Sequence, residues 1–178
     1  MKLHIGCGKR FIQGYKHVDI ISYEHIDFVQ DAMDLHLIQN ETVSEIYACH
    51  VLEHFKRHQI ETVLIEWNRV LKVGGVLRLS VPNFNAIIEE YLQHGDISKL
   101  QGLLYGGQTY DYNFHHVVFD LEHITLLLVN AGFGNVNTYN WQDFLPPNFD
   151  DFSRAYLPHL DTNGRLMSLN IVATKIGS

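Results

Sequence analysis

Four groups of residues in this sequence have the types and spacing to do chemistry. The first is Gly6-Cys7-Gly8, a Gly-x-Gly turn directly after the strand-like run Lys2–Ile5. Glycines there let the backbone pass close to a ligand that a Cβ would push away, although tight turns use the same pattern. The second is Asp19, in the short strand read over His17–Ile20. A carboxylate at that end of a parallel sheet can accept from both hydroxyls of a ribose. The third is the string His50-Val51-Leu52-Glu53-His54. The fourth is the pair His115-His116, inside the glycine- and tyrosine-rich stretch Tyr105–Asp120. Imidazoles titrate near neutrality, so both histidine groups can move a proton.

The spacing of the first two groups narrows the ligand. Positions 8 and 19 are 11 apart, where a dinucleotide fingerprint has about 20. Arg10 stands where a third glycine would be, and the residues between are too few for a full crossover helix. Without that helix there is no N-terminus to hold a pyrophosphate. The pattern therefore favours a nucleoside without phosphates over NAD.

Periodicity supplies the elements that must carry these residues. Short strands are predicted at Lys2–Ile5, His17–Ile20, Ile26–Val29 and Ile46–Val51, the last an apolar run suited to burial on both faces. Ile60, Val63, Leu64, Trp67, Val70 and Leu71 recur at helical spacing, with Gly74-Gly75 as the expected stop. A strand at Val76–Val81 follows, then helices capped by Asn83 or Asn85 and by Asp120. Val136–Tyr139 and Leu169–Thr174 complete the strands. Alternation of this kind is an α/β fold with a mostly parallel sheet, its first strand central and its ligands at the carboxyl ends of the strands. The chain has 178 residues, of which 46% are hydrophobic, enough for a core of its own. A formal net charge of −7 argues against nucleic acid as the partner. No run long enough to span a bilayer and no signal peptide is visible, and two cysteines make no disulfide framework, so the cytoplasm is the expected compartment.

The ordered set LHIGCG, HVDI, QDAMDL, IYACHVLEHF and EWNRVLKVGGVLRLSVPN resembles a class I S-adenosylmethionine-dependent methyltransferase, of the bacterial type 11 variety with a short first helix. The resemblance spans about Leu3 to Tyr139 plus the last strand. It implies a Rossmann-like, seven-stranded, mostly parallel sheet with an antiparallel last strand and helices on both faces. The expected organisation is one domain over residues 1–178, with an insertion at about 141–166. The implied cofactor is S-adenosyl-L-methionine, and the product S-adenosyl-L-homocysteine. Residue by residue, the resemblance places Gly6, Cys7 and Gly8 beside the methionine part of the cofactor and Asp19 with Ile20 at the ribose. It places Asp31, Ala32 and Met33 at the adenine, and Cys49 and His50 on the turn lining the methyl donor. Asp31 equally fits a turn cap before Met33, and both cysteines equally fit plain buried positions. His4 stands where many relatives carry an acid, which leaves open how the cofactor's amino group is held.

The string from His50 to His54 also matches the H-x-x-E-H pattern of inverted zinc peptidases, with Glu53 as general base and His58 as an extension. Because His50 directly follows a strand, it falls on a turn rather than inside a helix, and no metal is expected. The resemblance places an acceptor-site loop at Tyr105–Asp120, with a histidine at position 115. Methyl transfer to oxygen needs in-line placement and removal of the acceptor proton. His115 is the first candidate for that base and His116 the second, with His54 and Tyr110 as further acceptor-site candidates. Ordinary loop histidines are the competing reading. The aromatic and acidic segment Trp141–Leu166 suits a neutral polyhydroxy acceptor or an oligomer contact. The expected activity is O-methylation of a small molecule, a sugar or glycan precursor, with no nucleic acid or membrane partner and an open oligomeric state. A non-catalytic nucleoside-binding module and a zinc hydrolase built on His50, Glu53 and His54 are the competing classes.

Overall fold

The computed structural model describes residues 1–159 and 161–177; Leu160, inside the 141–166 segment, and Ser178 lie outside them. Seven strands form the main sheet: β1 (Lys2–Ile5), β2 (Lys16–Asp19), β3 (Phe28–Val29), β4 (Val43–Cys49), β5 (Leu71–Pro82), β6 (Phe133–Thr138) and β9 (Ser168–Lys175). Their order is β3-β2-β1-β4-β5-β9-β6. The pairs β1–β2, β2–β3, β1–β4 and β4–β5 are parallel, while β9 runs antiparallel to both β5 and β6. Strand order therefore reverses between β1 and β4, which places a switch point where Gly6 and His50 emerge. A separate hairpin joins β7 (Tyr156–Leu157) and β8 (Arg165–Leu166).

Helix α1 (Ile60–Val70) buries the stripe Ile60, Val63, Leu64, Trp67 and Val70 against the sheet, as its periodicity predicts. The Trp67 indole N–H donates to the Ala32 carbonyl at 2.9 Å, tying α1 to the loop after β3. The helix stops at Val70 and not at Gly74-Gly75. Leu71 already pairs with Val43, and the register then slips so that Val76 meets Glu45. Gly74, at φ +77°, lies in that slip. Helix α2 (Phe84–His94) is capped by Asn83, whose side chain accepts from Ala86, and ends at Gly95 in the left-handed region. Helix α3 (Gln101–Tyr105) is unforeseen; α4 (Leu121–Asn130) starts at the predicted Asp120 cap. No described helix is long and apolar enough to cross a membrane.

The missing first helix has a substitute. Residues 9–15 form only turns, and the sheet face above them is closed by the segment after β6. Trp141, Phe144 and Phe149 pack there with Leu145 onto Ile12 and Tyr47. His4 lies opposite Tyr47 in register, with ring centroids 5.3 Å apart, so it too faces this cluster. Arg10 Nε donates to the Asp150 carbonyl at 2.8 Å, and the Tyr47 hydroxyl donates to Asp151 Oδ2 at 2.5 Å. Much of the segment's aromatic content is thus packing on the sheet.

Candidate active site

The carboxyl ends of β1, β2 and β4 meet at one cleft. Gly6 has φ +62°, and a Cβ there would stand 2.4 Å from Val51 Cγ2, so the turn requires glycine twice over. Asp19 is 9% exposed and its two oxygens are fixed by backbone amides: Gly8 donates to Oδ2 at 2.8 Å and Ile21 to Oδ1 at 2.9 Å. Each oxygen keeps a further lone pair, and Asp19 borders two adjoining cavities. The first is bounded by Asp19, Ile20, Gln30, Asp31, Ala32 and Phe55, among others. Asp31 Oδ1 accepts from Met33 N at 2.9 Å, leaving its second oxygen free of that turn. Gln30 is buried, its Oε1 accepts from Leu37, and its Nε2 has no partner. An idle donor beside an idle carboxylate oxygen is the complement of a flat heterocycle with both kinds of group on its edge.

The second cavity measures 550 Å³ and shares the walls Gly6, Asp19, Ile21, His50, His54 and Tyr110 with the first. Beyond Cys49 it continues along Leu103 and His115 to Asp150–Leu157. Three imidazoles gather here around Glu53, which is 0% exposed. His50 Nδ1 lies 3.2 Å and His115 Nε2 3.9 Å from Glu53 Oε1, and the His54 and His115 rings meet edge to face at 4.8 Å. Burial works to raise the Glu53 carboxyl, but His50, then His54 and His115, hold it below its usual value. Burial lowers His115, with Glu53 opposing. Tyr110 is raised by burial and by the nearby Tyr23 and Asp19.

The profile of the methyltransferase domain family matches residues 9–79, the stretch that carries Asp19, Asp31 and the His50–His54 turn. Residues 9–79 thus resemble a methyltransferase domain, and the sheet is the Rossmann-like one of S-adenosylmethionine-dependent methyltransferase structures. A methyltransferase structure from Methanosarcina mazei superposes with TM-score 0.61 at 18% identity, covering 99% of this chain and 92% of that one. A Burkholderia thailandensis 1,6-didemethyltoxoflavin N1-methyltransferase, solved with S-adenosylhomocysteine and its acceptor, gives 0.61 at 16% identity over 99% and 71%. A Thermotoga maritima methyltransferase, described as a possible histamine N-methyltransferase, gives 0.57 at 18% over 98% and 81%. No curated protein matches in sequence. In the Burkholderia enzyme the bound product is S-adenosylhomocysteine, which S-adenosyl-L-methionine becomes on losing its methyl group. The idle Gln30 amide and the spare carboxylate lone pairs fit the nucleoside of that cofactor.

The fold brings most of the predicted residues to these walls. Gly6, Asp19, Ile20, Asp31, Ala32 and His50 border the first cavity; Gly8, Cys49, His54, Tyr110 and His115 border the second. Three predicted side chains do not arrive. Cys7 is buried with its thiol 3.8 Å from His25 Nε2, and burial, then Asp19, pushes it up to about 12. Met33 packs on the main core, its sulfur accepting from Gln59 Nε2. His116 is exposed and only its backbone N–H, donating to the Glu53 carbonyl, touches the cluster. The H-x-x-E-H string does not form a helical face either, since His50 has φ +53° and a 3-10 turn spans Leu52–His54. His4 borders neither cavity; burial, then His17, Arg10 and His25, lowers it to about 3. Gln30 is not legible as a site residue, because nothing in the sequence says that its amide is buried at the cavity wall.

Proposed function

We propose that this chain is an S-adenosylmethionine-dependent methyltransferase that O-methylates a small polyhydroxylated acceptor, a sugar or a glycan precursor, in the cytoplasm. In this reading Asp19 takes the ribose hydroxyls, while Asp31 and Gln30 meet the adenine edge. Gly6 and Gly8 pass beside the methionine part, and Cys49 and His50 line the approach to the methyl group. The acceptor occupies the 550 Å³ cavity, and S-adenosylmethionine supplies the methyl group there. Removal of the acceptor proton falls to the cluster of Glu53, His54 and His115. The observation that carries the reading is that this cluster borders the cavity adjoining the cofactor cleft, with a buried carboxylate behind two imidazoles. Arg154, Asp150 and Tyr156 line the far wall and offer hydrogen bonds to hydroxyls. Two free cysteines fit a reducing compartment. The reading treats residues 1–178 as one catalytic domain and 141–166 as an insertion that closes the acceptor side.

The test is transfer from ¹³C-methyl cofactor to a panel of monosaccharides and nucleotide-free glycosides, with the new methyl assigned by NMR. A methoxy carbon on a sugar hydroxyl is expected. Methyl groups found only on nitrogen or carbon acceptors would refute O-methylation.

A further inference from the structure

Glu53 is a buried carboxylate with neither oxygen hydrogen-bonded among the described residues, although three imidazoles surround it. The proton positions on those rings follow from their other partners, because a carbonyl oxygen can only accept. His54 Nδ1 lies 3.1 Å from the Phe114 carbonyl and His115 Nδ1 2.9 Å from the Leu103 carbonyl. Each ring therefore carries its proton on Nδ1 and keeps a lone pair on Nε2. His50 follows by a longer chain. Asn170 Nδ2 donates to the Ser153 carbonyl at 2.9 Å, which leaves its Oδ1 to accept from the Ser168 hydroxyl at 3.2 Å. With that hydrogen used, Ser168 Oγ accepts from His50 Nε2 at 3.1 Å. His50 is thus tied to Ser168 through Nε2, with Nδ1 3.2 Å from Glu53 Oε1. With both Nδ1–H groups committed to carbonyls, His54 and His115 turn their Nε2 atoms toward the buried Glu53 carboxylate. Such an arrangement calls for a cation.

One ligand atom from each of Glu53, His54 and His115 lies within 4.8 Å of the other two. We infer that Glu53 and the Nε2 atoms of His54 and His115 form a binding site for one divalent transition-metal ion at the edge of the acceptor cavity. Two imidazole nitrogens and one carboxylate oxygen suit zinc, cobalt or ferrous ions, whereas magnesium and calcium prefer all-oxygen sets. The Nδ1–carbonyl hydrogen bonds of both rings are the outer contacts that orient metal-bound histidines. Compared with the H-x-x-E-H reading, His115 replaces His50, which is held by Ser168. Three protein ligands leave a coordination position open, and both histidines border the cavity. The role of the ion, though not its binding, rests on the O-methylation reading. With the ion bound these three groups act as ligands in place of bases, and a hydroxyl completing the coordination gives its proton to water in the open cavity. Its oxygen then bonds to the methyl carbon as the carbon–sulfur bond breaks, with the electron pair left on sulfur.

The test uses the full chain, stripped with a chelator and titrated with Co²⁺ by visible absorption and with Zn²⁺ by calorimetry. Mg²⁺ serves as control, and S-adenosylhomocysteine binding is read on the same samples. One Co²⁺ per chain, displaced by Zn²⁺ and not by Mg²⁺, is expected. His115→Ala and His54→Ala should each weaken it by about 10-fold or more. The exposed His58→Ala should leave it unchanged, and S-adenosylhomocysteine affinity of His115→Ala should stay as in the wild type. Glu53→Gln should behave likewise; if it does not fold, the two histidine variants carry the test. Absence of stoichiometric uptake by the folded wild type overturns the site, as does uptake that both histidine variants retain. Failure to methylate any hydroxyl acceptor would sink the O-methylation reading and leave the metal result standing.

Discussion

Replacing Asp19 by Ala removes a carboxylate that the fold uses for two amides and that the cofactor reading uses for the ribose. Charge-assisted hydrogen bonds contribute about 1.5–3 kcal/mol, so S-adenosylhomocysteine should bind about 10- to 100-fold more weakly. The same change strands the amides of Gly8 and Ile21, which now donate to the carboxylate at 2.8 and 2.9 Å. At about 1 kcal/mol each, the low end because the site opens on a cleft, the fold loses about 2 kcal/mol. For a chain of this size that is a fall in Tm of about 4–8 °C. Asp19→Asn separates the two effects. Its one oxygen preserves an acceptor for one amide, so Tm should fall less, while the lost charge still weakens binding. Calorimetric titration and thermal unfolding of the three proteins give all the numbers needed. If Asp19→Ala melts early but binds S-adenosylhomocysteine as the wild type does, Asp19 only locks the turn and the ribose assignment is wrong.

His4 is held neutral in the folded protein, at about 3, by burial and then by His17, Arg10 and His25, whereas the unfolded chain protonates it near 6.5. The unfolded state therefore binds the extra proton, and stability falls as pH drops from about 6.5 toward about 3, by up to about 1.4 kcal/mol per unit. His4→Phe should flatten that slope in denaturant titrations between pH 7 and 5; equal slopes would contradict the assignment. Gly6→Ala combines a left-handed backbone with a Cβ 2.4 Å from Val51 Cγ2. The backbone part alone costs about 1–2 kcal/mol. Cofactor binding should weaken, and Val51→Ala in the same chain should recover part of the lost Tm; no recovery would mean the clash is not what matters. Trp67→Ala should cost about 3–5 kcal/mol in denaturant unfolding, because Trp67 is fully buried and anchors the Ala32 carbonyl. His115→Ala should lower turnover with cofactor affinity kept, measured by steady-state rates beside calorimetry; joint loss would make the loop structural.

Local features of this chain were legible where a residue acts on near neighbours. β1 runs over the residues its apolar run marks, and Asp120 caps α4 through the amide of His123. Asp19 was visible because a carboxylate closing a buried strand has few other uses. Gly74-Gly75 misled because a glycine pair reads the same whether it ends a helix or bends a strand. His115 and His116 are indistinguishable as letters, and it is the Leu103 carbonyl, 2.9 Å from His115 Nδ1, that holds one ring inward. Glu53 reads as part of a local string, and His50 and His54 of that string do act on it, but His115 joins them from a different segment. The aromatics of 141–166 looked like a stacking platform, since nothing local says that Tyr47 needs covering.

The sheet order has a consequence for how the chain is made. β9, emerging after β6 in synthesis, must insert between β5 and β6, and among the described residues β6 pairs only with β9. Until β9 leaves the ribosome, β5 presents an open edge and β6 has no strand to join. The Tyr47 side of the sheet also waits for Phe144 and Phe149. A nascent chain of this protein thus carries β1, β2 and β4 in an unsealed sheet until Ser168–Lys175 is made, and it depends during that interval on whatever keeps bare sheet edges apart.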